Sequence, residues 1–163
     1  RYSDRYMGDE QLDTYITRSY LFGGPWILMN RLVQMRDEDL DLLKSEIALF
    51  KSFRNRIRDG RVFHLTARPA ENRIDAIQSY HEETDTAIAF VFRPQAAAAF
   101  YRARLKGLKR EGNYRVRFQE DRRLLTMTGA QIMDGGIRVN LSSMWMAEII
   151  YVEPVAEAGG TGS

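Results

Sequence analysis

After Gly60 the apolar residues of this chain change period, from the three- and four-residue steps of a helix to the two-residue alternation of strands. That switch constrains the fold most. Strand-length runs follow at 61–67 (RVFHLTA), 74–81 (IDAIQSYH), 86–93 (TAIAFVFR), 100–107 (FYRARLKG), 113–120 (NYRVRFQE), 123–129 (RLLTMTG), 136–141 (GIRVNL) and 145–154 (WMAEIIYVEP), with turn residues between most of them. In NYRVRF, Tyr114, Val116 and Phe118 share one face and Arg115 and Arg117 the other. AIAFVF is apolar on both faces, as a central strand is. Short strands at this density predict an antiparallel β-sandwich over 61–153. The tail 154–163 is small and polar and reads as disordered.

Before Gly60 the clearest element is a helix over 37–59. Leu40, Leu43, Ile47, Phe50 and Ile57 form an apolar stripe, widened by Leu42, Leu49 and Phe53. Asp37 is the expected N-cap, Glu38 and Asp39 suit the positive end of the helix dipole, and Gly60 is a ready left-handed terminator. Residues 9–22 (DEQLDTYITRSYLF) predict a further helix, and Trp26–Met29 a short buried strand after the Gly23-Gly24-Pro25 break. So broad a stripe needs more cover than one run of sandwich strands supplies. Residues 1–60 therefore read as the last part of a larger domain, and the chain, which begins RYSDRYMGDE, as a segment of a longer polypeptide.

The 163 residues suit one domain, or a small domain with an attached piece of another. The absence of cysteine excludes disulfides and thiolate metal sites and leaves the compartment open. The longest apolar runs are too short to span a bilayer. Net charge is only +2, yet Arg93 to Arg123 holds ten basic side chains against three acidic ones, a local charge of +7. Nucleic-acid binding must be weighed for that reason. Tyr114 and Phe118 share a strand with Arg115 and Arg117 but point to the opposite side and offer no stacking platform beside them, so arginines coating the wet face of a sheet are the better reading.

His64 and His81 fall within strand patterns and read as structural or surface residues. The zincin, paired-cysteine and calcium-loop spacings do not occur, LFGGPW lacks the rest of a phosphate loop, and the serines lack a nucleophile elbow. No metal, cofactor or catalytic residue is assigned. The acids read as lying on an exposed helix face (Glu38, Asp41, Glu46) or in turns (Glu82, Glu83, Asp85, Glu120, Asp121), with Glu148 turned away from the side of Trp145, Ala147 and Ile149. Trp145 reads as buried in its strand. No pair of carboxylates of the kind glycoside hydrolysis needs stands out.

Several pieces, taken in order, resemble the C-terminal part of α-galactosidase-like glycoside hydrolases of family 36 and its relatives. ALFKSFRNRIRDGRVFHL is similar to that family's final barrel helix and following strand, through Arg54 or Arg56, Ile57, Gly60, Phe63 and Leu65. TDTAIAFVFRP resembles its acidic turn and hydrophobic strand. LKGLKREGNYRVRF matches through Leu105, Gly107, Leu108, Tyr114 and Val116, although Lys109-Arg110-Glu111 replaces the usual acidic turn. TGAQIMDGGIRV matches through Thr128, Gly129, Ile132, Met133, Gly136, Ile137 and Val139, with Ile132 where leucine is frequent.

The resemblance runs from Ser19 to Tyr151. It implies an α+β segment, in which the last strand and helix of a (β/α)₈ barrel (1–60) are followed by a β-sandwich (61–153). Catalytic aspartates would lie upstream of Arg1, and the partners would be the remainder of the parent enzyme and, through its barrel, a carbohydrate. Trp26 and Asn30 would sit near the barrel rim, where one could stack on a sugar and the other touch a hydroxyl. In this setting Thr128–Ile137 reads as a structural connection, with Ile132 and Met133 anchored in the core and Asp134-Gly135-Gly136 making the turn. The rivals are a stand-alone carbohydrate-binding sandwich module and, last, a basic nucleic-acid binder.

Overall fold

The computed structural model describes residues 13–22, 32–68, 70–95 and 98–156, and divides the chain into two compact units, Arg1–Asn55 and Arg56–Ser163. The predicted strand Trp26–Met29 and the candidates Trp26 and Asn30 lie outside the described residues, as does the tail beyond 156.

In the first unit, α1 spans Thr14–Ser19. Asp13 caps it, its Oδ1 accepting from the Ile16 N–H at 2.7 Å. A 3₁₀ turn follows at Leu32–Gln34, and then α2 at Asp37–Arg58, whose last residues belong to the second unit. The Leu40 N–H donates to the Arg36 carbonyl, so hydrogen bonding starts one residue before the predicted cap and Asp37 sits in the first turn. Of the apolar stripe, Leu43 and Phe53 are buried, while Leu40, Leu42, Ile47, Leu49, Phe50 and Ile57 stay partly exposed.

Glu46, expected on the wet face, is buried. Arg18 of α1 holds it with two hydrogen bonds, Nε to Oε2 at 3.0 Å and Nη2 to Oε1 at 2.8 Å. The bidentate fork offsets the desolvation that would otherwise forbid a carboxylate there.

Gly60 also departs from expectation, because it does not take a left-handed conformation. What it provides is room. A Cβ here would lie 2.1 Å from Ser79 Oγ and 2.5 Å from the Arg56 carbonyl, where the chain leaves α2 and enters the sheet.

Among its described residues the second unit holds eight antiparallel strands: β1 (Arg61–His64), β2 (Asp75–His81), β3 (Thr86–Arg93), β4 (Phe100–Ala103), β5 (Asn113–Phe118), β6 (Leu124–Thr128), β7 (Ile137–Asn140) and β8 (Met146–Pro154). Each falls within a run anticipated from the alternation. Six form one sheet in the order β1-β2-β3-β8-β5-β6, and β4 pairs with β7 in a second. The two sheets are unequal, but they share a core. Ala103, Leu105, Ile137, Val139 and Leu141 from the smaller side cluster with Ala89, Val91, Val116, Phe118, Ile150 and Val152 of the larger sheet.

β3 is central and buried on both faces, as its sequence suggests. Ala87, Ala89 and Val91 face the shared core, and Ile88, Phe90 and Phe92 face the other way, where Ile149 and Tyr151 of β8 continue a second buried apolar layer. β5 alternates perfectly between exposed and buried, with Tyr114, Val116 and Phe118 inward. β8 ends at Pro154, and the Val155 N–H reaches the Asn113 carbonyl at 2.8 Å.

Candidate functional site

Three polar clusters in the second unit gather chemistry-bearing side chains among the described residues. The first is buried. Asp85, in the tight turn between β2 and β3, has φ +50 and accepts two phenol hydrogen bonds, from Tyr80 at 2.9 Å and Tyr114 at 2.7 Å. The Lys109 N–H donates to the Tyr114 oxygen at 2.9 Å. Burial, reinforced by the Asp85 carboxylate, pushes the Tyr80 phenol up to about 12 and that of Tyr114 higher still. Both therefore stay protonated donors across ordinary pH. The cluster ties the β2–β3 turn to β5 and to the β4–β5 connection; it is a latch, both oxygens of its carboxylate occupied by phenols.

Two glycines let the latch close. Gly107 has φ +90, and a Cβ there would lie 2.6 Å from the Tyr80 ring. Gly129 passes so close to the chain at Lys109 that a Cβ would lie 2.0 Å from its carbonyl oxygen. The spacing Leu105, Gly107, Leu108, Tyr114, Val116 is thus a packing pattern: Leu105 and Leu108 are buried, and Tyr114 and Val116 are wholly enclosed.

The second cluster answers the question raised by the connection after β6. Residues Gln131–Gly135 form a π-helical turn with Ile132 fully buried and Met133 packed against the core, and Gly136 takes φ +77. Three basic residues converge on this turn. Arg110 forms a two-pronged pair with Asp134 at 2.6 and 3.2 Å, Arg104 Nε donates to the Asp134 carbonyl at 3.0 Å, and Arg102 Nη1 to the Gly135 carbonyl at 3.2 Å. Arg110 holds the Asp134 carboxyl below its ordinary range. Much of the positive segment is therefore spent on the protein's own backbone and acids, and the connection is structural.

The third cluster surrounds the β5–β6 turn. Glu148 of β8 is completely buried, on the same face as Ile150 and Val152. Its Oε1 accepts from the N–H groups of Glu120 and Ile149, both at 2.9 Å, and its Oε2 from Asp121 N–H at 3.0 Å. Burial pushes its carboxyl upward despite these donors. Next to the pinned turn lies a shallow depression of about 260 Å³ lined by Arg117, Phe118, Gln119 and Arg122.

Glu46, read as lying on an exposed helix face, Asp85, read as a turn residue, and Glu148, read as turned away from the side of Ala147 and Ile149, are all buried, and each is met by Arg, Tyr or backbone donors. The alternation of β8 could have revealed Glu148, since 148, 150 and 152 share a face; Tyr114 of the Asp85 cluster and the Arg18 partner of Glu46 lie 28 or more residues away and leave no local signal. Trp145 was expected buried within its strand. It lies in the turn before β8 with φ +56 and is partly exposed. His64 is exposed, and His81 Nδ1 lies 3.1 Å from Thr84 Oγ1. No group of three or more His, Cys, Asp or Glu among the described residues is placed to hold a metal. No helix among them is long and apolar enough to cross a membrane.

Residues 74–152 match the family model described as Glycosyl hydrolase family 36 C-terminal domain. Among solved structures, the galactosidase domain of the α-galactosidase–sucrose kinase AgaSK superposes with a TM-score of 0.64 at 24% identity, over 77% of this chain and 17% of that one. The family 36 α-galactosidase AgaB from Geobacillus stearothermophilus gives 0.63 at 21% identity, over 76% and 17%. The α-galactosidase from Lactobacillus brevis gives 0.65 at 19%, over 82% and 19%. The chain thus spans less than a fifth of the length of these structures, and at such identities the likeness is one of fold. No curated protein matches the chain in sequence. Residues 74–152 thus match the glycosyl hydrolase family 36 C-terminal domain, and in fold the chain resembles the C-terminal part of an α-galactosidase of that family.

Proposed function

We propose that this chain serves as the C-terminal part of an α-galactosidase-like glycoside hydrolase, completing its barrel and bracing it, and carries no catalytic carboxylate itself. The observation behind the reading is the family 36 C-terminal domain at 74–152. The clusters described above support it, since their side chains are committed to holding turns and strands together. In this reading 1–60 is the end of a (β/α)₈ barrel, with α2 as its final helix, and 61–153 is the bracing sandwich. The parent reaction is hydrolysis of a terminal sugar with retention, by a nucleophile and an acid/base about 5 Å apart. Trp26 and Asn30 would stand at the C-terminal rim of the barrel, where sugars bind in enzymes of this architecture.

The test compares the 163-residue chain with a polypeptide in which a family 36 barrel precedes it. The longer protein should hydrolyse an aryl α-galactoside, giving first the sugar of unchanged anomeric configuration, and the chain alone should show no turnover. Turnover by the chain alone, abolished by a point substitution within it, would refute the reading. In the longer protein Asn30→Ala should lower kcat/KM; an unchanged value would remove Asn30 from the site. Partly exposed Trp145 keeps a stand-alone sugar-binding module in view, and sugar-dependent quenching of the fluorescence of the chain alone would favour that rival.

A further inference from the structure

The depression beside the β5–β6 turn is lined by donors. Arg117 and Gln119 lie two residues apart on the outer face of the large sheet, and Arg122 reaches the same hollow from the turn. Arg117 and Gln119 are each held by a contact that leaves their donors available. The Arg117 guanidinium lies over the Tyr151 ring, 3.9 Å from its centroid, a contact that fixes the group yet leaves its N–H edges available. Tyr151 donates its hydroxyl to Gln119 Oε1 at 3.3 Å, which turns the amide so that its NH₂ remains a donor.

Arg122 sits at φ +54, a conformation costly for an arginine, and makes no ion pair with any described residue. Its neighbour Arg123 is engaged elsewhere, with Nε on Asp121 at 2.5 Å and Nη2 on the Arg138 carbonyl at 3.0 Å. The Asp121 carboxylate is also occupied by Asn140 at 3.3 Å. Underneath, the buried Glu148 pins residues 120 and 121 through their N–H groups, so the strained residue that follows is fixed in direction.

We propose that this hollow is an oxyanion-binding site for the carboxylate or phosphate of a small acidic ligand, with Arg117, Arg122 and the Gln119 amide as its donors. Planar guanidinium forks suit such groups, and two arginines line this hollow with no acid among the lining residues. Glu148 acts as a positioning residue that holds the turn. The site stands independently of the glycosidase reading.

The experiment titrates the 163-residue chain with inorganic phosphate, a hexuronate and the corresponding neutral hexose, following amide shifts of residues 117–123 by NMR. At least one anion should shift these amides at millimolar concentration and the neutral sugar should not. The tighter of the two anions identifies the source. Arg122→Gly removes the guanidinium and also relieves the positive φ, so the variant should fold at least as well as the parent and bind about tenfold or more weakly. Arg68→Gln, removing an exposed cation from the connection after β1, should bind as the parent does. The proposal is overturned if neither anion shifts the turn, if the neutral hexose binds equally, if Arg122→Gly binds unchanged, or if Arg68→Gln weakens binding as much.

Discussion

Three of the 34 described residues in unit 1–55 are buried apolar side chains (Leu21, Leu43, Phe53), against 23 of 98 in unit 56–163. The second unit has its own layered core, a latch of two tyrosines on one aspartate, and a pinned hairpin turn. The first has a long helix with most of its apolar stripe half open, held to α1 by one buried ion pair. A helix amide ladder without a packed face is marginal in water, whereas a sheet of six strands that buries both faces of its centre is self-supporting. The difference is the one expected if the second unit is a self-contained domain and the first is a piece of a shared one, as proposed above.

Substitutions should break the two regions unequally. Asp85→Ala should be the most damaging: it strips the partner from two buried phenols and leaves alanine at positive φ, costing about 3–4 kcal/mol in urea unfolding of the sheet domain. Gly129→Ala should cost about 3 kcal/mol, because its methyl would drive into the Lys109 carbonyl.

Glu148→Gln should cost about 2 kcal/mol, since an amide NH₂ would face the Asp121 N–H where Oε2 now accepts. The same variant tests the sign of a pH effect. A carboxyl whose folded value is raised binds its proton more tightly in the native state. Its contribution is fully present below the ordinary carboxyl value and is lost as pH rises through the raised one. The parent should therefore lose stability over that interval, and Glu148→Gln should flatten the loss; a parent that gains stability there through this residue would contradict the assignment.

Smallest of all, Ile47→Ala on the half-open stripe should move the unfolding of the sheet domain by less than about 0.5 kcal/mol, far below the ~2–5 kcal/mol of a closed core.

Much of the sheet was legible because alternation is a local property. β3 was placed at its observed limits, 86–93, and the inward set Tyr114, Val116, Phe118 followed from the period alone. What escaped was long-range or geometric. Glu46 reads as a surface residue until Arg18 of another helix is brought to it. Asp85 reads as turn material until Tyr114, 29 residues on, donates to it. Gly60 matches a helix terminator, but its role comes from Ser79 and the Arg56 carbonyl crowding its α-carbon. The basic segment looks like a single electrostatic surface in sequence; in space Arg102, Arg104 and Arg110 are gathered by one turn, and Arg117 and Arg122 line a hollow beside another.

Native-state hydrogen exchange on the 163-residue chain tests the contrast most directly. Amides of β3, β5 and β8 should exchange only through global opening, with one shared free energy, while those of α2 between Leu40 and Phe50 exchange through local opening at least a hundredfold faster. Protection of those helix amides equal to that of β3 would contradict the account, because α2 would then already have all the neighbours it needs.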